Sequence, residues 1–138
     1  MTQASPRRVL AVRVGRMGDM VMLTPALRLL LDGLPDAQVH VLTTAEGRRV
    51  LRGFDPRLTT IHLYHRRFFD SLLLRGRLLR ELRRACFDRV YLFESHSHYR
   101  KLTRGLAPEI HAFAESPRSA HYSARCLDVV EATLPHPI

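Results

Sequence analysis

No stretch of this 138-residue sequence approaches the ~20 consecutive apolar residues of a membrane-spanning helix. The chain is also short of cysteine, with only Cys86 and Cys126. Neither CxxC nor zinc-ligand spacing is present, which excludes a thioredoxin-type motif and a zinc framework. The expectation is two buried free thiols in a reducing compartment, with the cytoplasm as the default location. Lysine is nearly missing: Lys101 stands alone beside 21 arginines, and the 13 acids leave a net charge of +9. Such a surplus suits an anionic partner, whether nucleic acid, lipid headgroup, acidic saccharide or phosphate. There is no internal repeat and no low-complexity segment. The opening MTQASPRR leads directly into a strand containing Arg13, so no signal peptide is expected. With 46% hydrophobic and 25% charged residues, the chain has the composition of an ordinary globular protein. Its length is that of one domain and small for a two-domain enzyme.

Nucleotide-binding fingerprints are missing as well. There is no Gly-Lys-Ser/Thr of a P-loop and no complete GxGxxG. The second predicted strand ends in Thr43 and Thr44, without an acid to hold a ribose. What is present is the stretch Arg8 to Leu31, RVLAVRVGRMGDMVMLTPALRLLL. Val9, Leu10, Val12 and Val14 form a short, largely β-branched run that reads as a buried strand. Gly15 and Gly18 give a turn able to take positive φ and to admit close approach. A long apolar helix follows. In an open α/β sheet, ligands bind outside the carboxyl ends of the strands, which makes this turn the first candidate site.

Asp19 stands at the mouth of that helix, and two readings of it stay open. As a helix N-cap its side chain would accept backbone N–H bonds. As a carboxylate exposed at a cleft it could take a proton from a substrate hydroxyl. Capping lowers its pKa, whereas closure of a dry cleft raises it. Thr24-Pro25 offers a second helix start, with Thr24 as cap and Pro25 at the first helical position. That start would free Asp19 from capping. A carboxylate here would compete with a phosphate for the helix N-terminus, so a nucleotide phosphate at this turn is not expected.

The remainder alternates strand and helix. Strands are predicted over Gln38–Thr43, Leu58–Leu63, Asp88–Phe93 and Glu109–Phe113. Helices are predicted over Ala45–Arg52, Phe68–Cys86 (the longest, with Phe68, Leu72, Leu79, Leu82 and Cys86 as its apolar stripe), His98–Gly105 and Ala120–Leu134. Gly76 weakens the middle of the longest helix. The regular alternation argues a doubly wound parallel sheet of about five strands, an α/β, Rossmann-like domain.

The ordered set Gly18-Asp19, Thr24-Pro25-Ala26-Leu27 and Leu34-Pro35-Asp36-Ala37, followed by Val39-His40-Val41-Leu42, resembles the lipopolysaccharide heptosyltransferases, glycosyltransferase family 9. The resemblance is close up to about residue 43 and looser to about residue 134. It implies one half of a GT-B fold, with residues 1–138 as the N-terminal, acceptor-side domain of an inverting enzyme. Asp19 would be the general base, with Gly18 and Thr24 beside it. A nucleotide sugar, ADP-heptose by the resemblance, would bind a C-terminal domain absent from this chain, and no catalytic metal or other cofactor is implied. The Pro135-His136-Pro137 tail reads as the start of an interdomain linker. The chain is accordingly expected to be a truncated piece of a longer enzyme and inactive alone.

Arg66 and Arg67, after the third strand, would orient an anionic, lipid-linked saccharide; a solvated basic loop is the alternative. After the fourth strand, Glu94 and Ser95 roughly take the family's first places and His98 or Arg100 the basic one, with Glu94 and His98 as the substrate-binding candidates the resemblance implies. The run Glu94-Ser95-His96-Ser97-His98 departs from the family pattern there, and His96-x-His98 is too sparse for a metal site. Arg118 and His121 read as an exposed lead-in to the last helix.

From Arg66 to Arg84, seven arginines face Asp70 and Glu81 and supply +5 of the net charge. Arg77, Arg80 and Arg84 share one helix face, read first as solvated. A peripheral contact with anionic lipid at the inner face of the cytoplasmic membrane is the functional alternative. Two rival functions remain: an inactive stand-alone module binding an anionic glycan, membrane or partner protein, and nucleic-acid binding. The last ranks lowest, because the basic stretch lacks interleaved aromatics and any recognition motif.

Overall fold

The computed structural model describes residues 6–14, 17–64, 72–94, 97–112 and 122–134. In chain order these form β1 (Arg8–Val12), α1 (Met17–Gly33), β2 (Gln38–Thr43), α2 (Ala45–Leu51) and β3 (Leu58–Leu63). They continue as α3 (Leu72–Arg84), β4 (Arg89–Leu92), α4 (Ser97–Thr103), β5 (Glu109–Ala112) and α5 (Tyr122–Glu131). The strands lie in the order β3-β2-β1-β4-β5, and every pair is parallel. This is the expected doubly wound α/β sheet. Among the described residues no helix is long and apolar enough to cross a membrane.

Helices cover both faces, which is why the central strands are apolar on successive residues rather than on alternate ones. Val9 and Ala11, Val39 and Val41, and Tyr91 and Phe93 point to one face, where they pack with Met20, Leu23, Leu27 and Leu30 of α1 and Cys126 and Val130 of α5. Leu10, Val12, Leu42, Val90 and Leu92 point to the other face, toward Leu78 and Leu82 of α3 and Leu102 of α4. Gly47 of α2 sits where any Cβ would overlap the Thr43 hydroxyl and touch Met20. Its absent side chain lets α2 seat directly on β2 and α1. Thr44 caps that helix, its hydroxyl accepting from the Gly47 amide at 3.2 Å.

The second and third strands fall where the sequence places them, while several helix bounds differ. Helix α1 is continuous from Met17 through Pro25, so Thr24-Pro25 is interior and not a helix start. A proline there removes the bond its amide would give to the carbonyl four residues back. The Thr24 hydroxyl donates to that same carbonyl, Val21 O, at 2.7 Å. Gly18 is likewise helical and not at positive φ. Among the described residues α3 has 13 residues against 17 in α1. Phe68 lies outside the described residues, and Gly76 does not interrupt the helix. Cys86 follows α3 in a left-handed conformation (φ 54°) and is exposed, so it is neither part of the apolar stripe nor a buried thiol. Cys126 is buried and in no disulfide among the described residues, as expected.

Candidate functional site

Strand order reverses at β1, which lies between β2 and β4. The crevice beyond the carboxyl ends of β1 and β4 is therefore the switch point at which such sheets take their ligands. The described residues there form a connected set. The Arg13 amide donates to Leu42 O at 3.0 Å, and the Phe93 amide donates to Val12 O at 3.0 Å, carrying the sheet past its last strand residues. The Glu94 carboxylate then bridges the two exits. Its Oε1 accepts the Val14 amide at 2.6 Å, and its Oε2 accepts Arg13 Nη1 at 2.9 Å. Both side chains are largely out of solvent, at 7% exposure for Glu94 and 14% for Arg13. A buried charge needs such a partner and bonded geometry to be tolerated.

Asp19 is the third residue of α1, inside the first turn instead of at the cap position. Gly18, next to it, is exposed, and no atom of the described residues lies within 4 Å of where its Cβ would be. Thr24 lies about 7.5 Å further along the helix axis, at 1.5 Å per residue. Its hydroxyl is engaged with Val21.

Glu94 joins the crevice as an internal tie between loops. His98 is the second residue of α4, at the same edge of the sheet. Arg66 and Arg67, along with Arg118 and His121, lie outside the described residues. Two members of the edge carried no signal that singled them out. Arg13 was visible only as a lone charge at the end of an apolar strand. Tyr64 was visible only as the residue after β3. It is 3% exposed, its amide donates to Thr43 O at 2.8 Å, and its ring meets that of Tyr99 edge-on at 5.8 Å. Burial pushes the Tyr64 phenol up from its usual pKa, with Arg75 opposing. Among the described residues, no group of three or more His, Cys, Asp or Glu is placed to hold a metal ion.

Sequence comparison with protein-family models finds no match, and comparison with curated proteins finds none either. Solved structures do match. The Escherichia coli heptosyltransferase WaaC with ADP superposes with a TM-score of 0.78 at 16% identity, over 94% of this chain and 48% of that one. The same enzyme with ADP-2-deoxy-2-fluoro heptose gives 0.78 at 16% identity, over 92% and 48%. A family 9 glycosyl transferase from Veillonella parvula gives 0.75 at 14% identity, over 96% and 42%. The chain has the fold of about half a heptosyltransferase. It spans less than half the length of each of these proteins, and the heptosyltransferase-like sheet places β1 and the start of α1 at its switch point.

Proposed function

We propose that this chain is the N-terminal, acceptor-binding half of an inverting glycosyltransferase. The observation that carries the reading is the heptosyltransferase-like fold, combined with Gly18-Asp19 at the start of the helix that leaves the switch-point strand. In the complete protein a second domain binds a nucleotide sugar, with ADP-heptose as the donor that the structural neighbours suggest. The acceptor is an anionic saccharide of the lipopolysaccharide-core type, lipid-linked and met on the cytoplasmic side.

Asp19 takes the proton of the acceptor hydroxyl as its oxygen attacks the anomeric carbon. The new C–O bond forms as the bond from that carbon to the diphosphate oxygen breaks, and the nucleoside diphosphate leaves with the electron pair. The configuration at carbon is inverted. Domain closure aligns the two substrates and keeps water from the donor. The sugar lies beside Asp19 at Gly18, which no described residue crowds, and Arg66 and Arg67 hold the acceptor's negative groups. The Glu94–Arg13 tie keeps the loop before Asp19 in register with the loop after β4.

The test uses the complete protein that contains this chain. Asp19→Asn should lower kcat by about 10²–10⁴-fold while leaving acceptor and donor binding within a few-fold. Full turnover by the variant overturns the mechanism. Acceptor binding without turnover by the unaltered complete protein favours the non-catalytic module instead.

A further inference from the structure

Helix α3 buries Leu78 and Leu82 against the sheet. Its opposite side carries Leu73, Arg77, Arg80 and Arg84, all exposed. Their spacings of four, three and four residues put them in one line along the helix. Arg83, also exposed, stands beside that line. The single acid of the helix, Glu81, borders the line one turn after Arg77, with its Oε1 3.3 Å from Nδ1 of the buried His62 on β3. Four arginines against this one acid leave the exposed side of the helix strongly cationic. At its N-terminal end Leu73 is 81% exposed and Leu74 is 39% exposed. An open hollow of about 430 Å³ lies alongside, lined by Gly76, Leu79, Arg80, Arg83 and Arg84.

Four guanidinium groups with two exposed leucines at one end match a surface that is anionic outside and apolar a few ångströms beneath. We propose that this ridge is a docking surface for a bilayer rich in anionic lipid. The arginines meet headgroup phosphates through paired donors, and Leu73 and Leu74 enter the acyl boundary. Nucleic acid matches the charge but gives the leucines nothing to enter, and the helix has no aromatic side chain on which bases could stack. Because α3 starts after the carboxyl end of β3, its leucine end lies toward the same sheet edge as Asp19. The inference rests on the ridge alone and stands whether or not Asp19 is a base.

The sequence contains no tryptophan, so Leu73→Trp installs a single reporter at an exposed position. With vesicles of 30 mol% phosphatidylglycerol in phosphatidylcholine, its emission should shift to the blue. With pure phosphatidylcholine or double-stranded DNA it should not. Arg80→Glu/Arg84→Glu should weaken sedimentation with the anionic vesicles by at least about tenfold. Arg48→Glu/Arg49→Glu, an equal charge change on exposed residues of α2, should weaken it far less. Equal losses from the two pairs would mean that only net charge matters, and would overturn the proposal. So would the absence of a blue shift, or the same shift with DNA.

Discussion

The Glu94 carboxylate bonds the Arg13 guanidinium at 2.9 Å across 81 residues of sequence, tying the exits of the two strands that flank the switch point. Glu94 also accepts the Val14 amide, so its removal takes a carboxylate partner from a largely buried cation and an acceptor from a half-buried amide together. Breaking one side of such a pair costs ~3–5 kcal/mol. Glu94→Ala should lower unfolding stability by about that amount. Glu94→Gln, which keeps an acceptor for Val14, should cost visibly less. Chemical denaturation of the two variants against the parent checks the order; equal stability of parent and Glu94→Ala would mean the tie is not formed in solution.

Pro25 inside α1 is tolerated because the Thr24 hydroxyl takes over the Val21 carbonyl that the proline cannot reach. Proline in a helix interior still disfavours the helix by ~3 kcal/mol relative to alanine, offset by up to ~1 kcal/mol from its stiffening of the unfolded chain. Pro25→Ala should therefore raise stability by about 2–3 kcal/mol. Thr24→Ala, with proline retained, should lower it by ~0.5–1.5 kcal/mol as that carbonyl loses its partner. In the double variant, Thr24→Ala should cost less than it does beside proline, because the backbone N–H restored by Pro25→Ala then serves Val21. A thermodynamic cycle over the four proteins measures that coupling.

Gly76 lies within α3 with no atom of the described residues within 4 Å of where its Cβ would be, and its φ is not positive. Nothing steric requires a glycine. Gly76→Ala should stabilise the chain by ~1 kcal/mol through helix propensity alone. The midpoint of urea unfolding reads this directly, and a loss of stability would mean that the added methyl meets an obstacle.

These sites show where the sequence was readable. The parallel sheet and the bounds of β2 and β3 followed from short apolar runs between turn residues, a local signal that survives folding. The fate of Thr24-Pro25 did not follow, because the same dipeptide both starts helices and, with the hydroxyl turned back, continues one. Cys86 matched the helical spacing of the α3 stripe, yet the chain leaves the helix just before it, and spacing cannot reveal a left-handed φ. Glu94 was legible as an edge residue of the fourth strand, but its partner was not. That pairing depends on β1 and β4 becoming neighbours, a consequence of topology and not of any local pattern. Asp19 was legible as a helix-start acid, and its backbone lies in the first turn of α1.

Acid should unfold the chain in two stages. His40 on β2 faces His62 on β3, with Nδ1 3.0 Å from Nε2 and the rings stacked, while Glu81 of α3 faces the far side of His62. Burial, followed by the charges of His62 and Arg8, holds the His40 pKa below its ordinary 6.5. As pH falls below about 6.5, the unfolded chain takes up a proton that the folded chain resists, so stability drops. The second stage belongs to carboxylates. Bonds from the Arg57 side chain and amide hold Asp55 at about 2, against an ordinary 3.8. The Arg7 and Arg8 amides depress Asp88, and Arg89 depresses Glu109. Groups lowered by folding stabilise above their unfolded pKa, and that contribution is lost as pH falls through the folded values. Urea midpoints from pH 7.5 to 2.5 should therefore decline once below about 6.5 and again below about 4. His40→Leu should flatten the first decline and leave the second in place. Persistence of the first decline in that variant would assign it to another group.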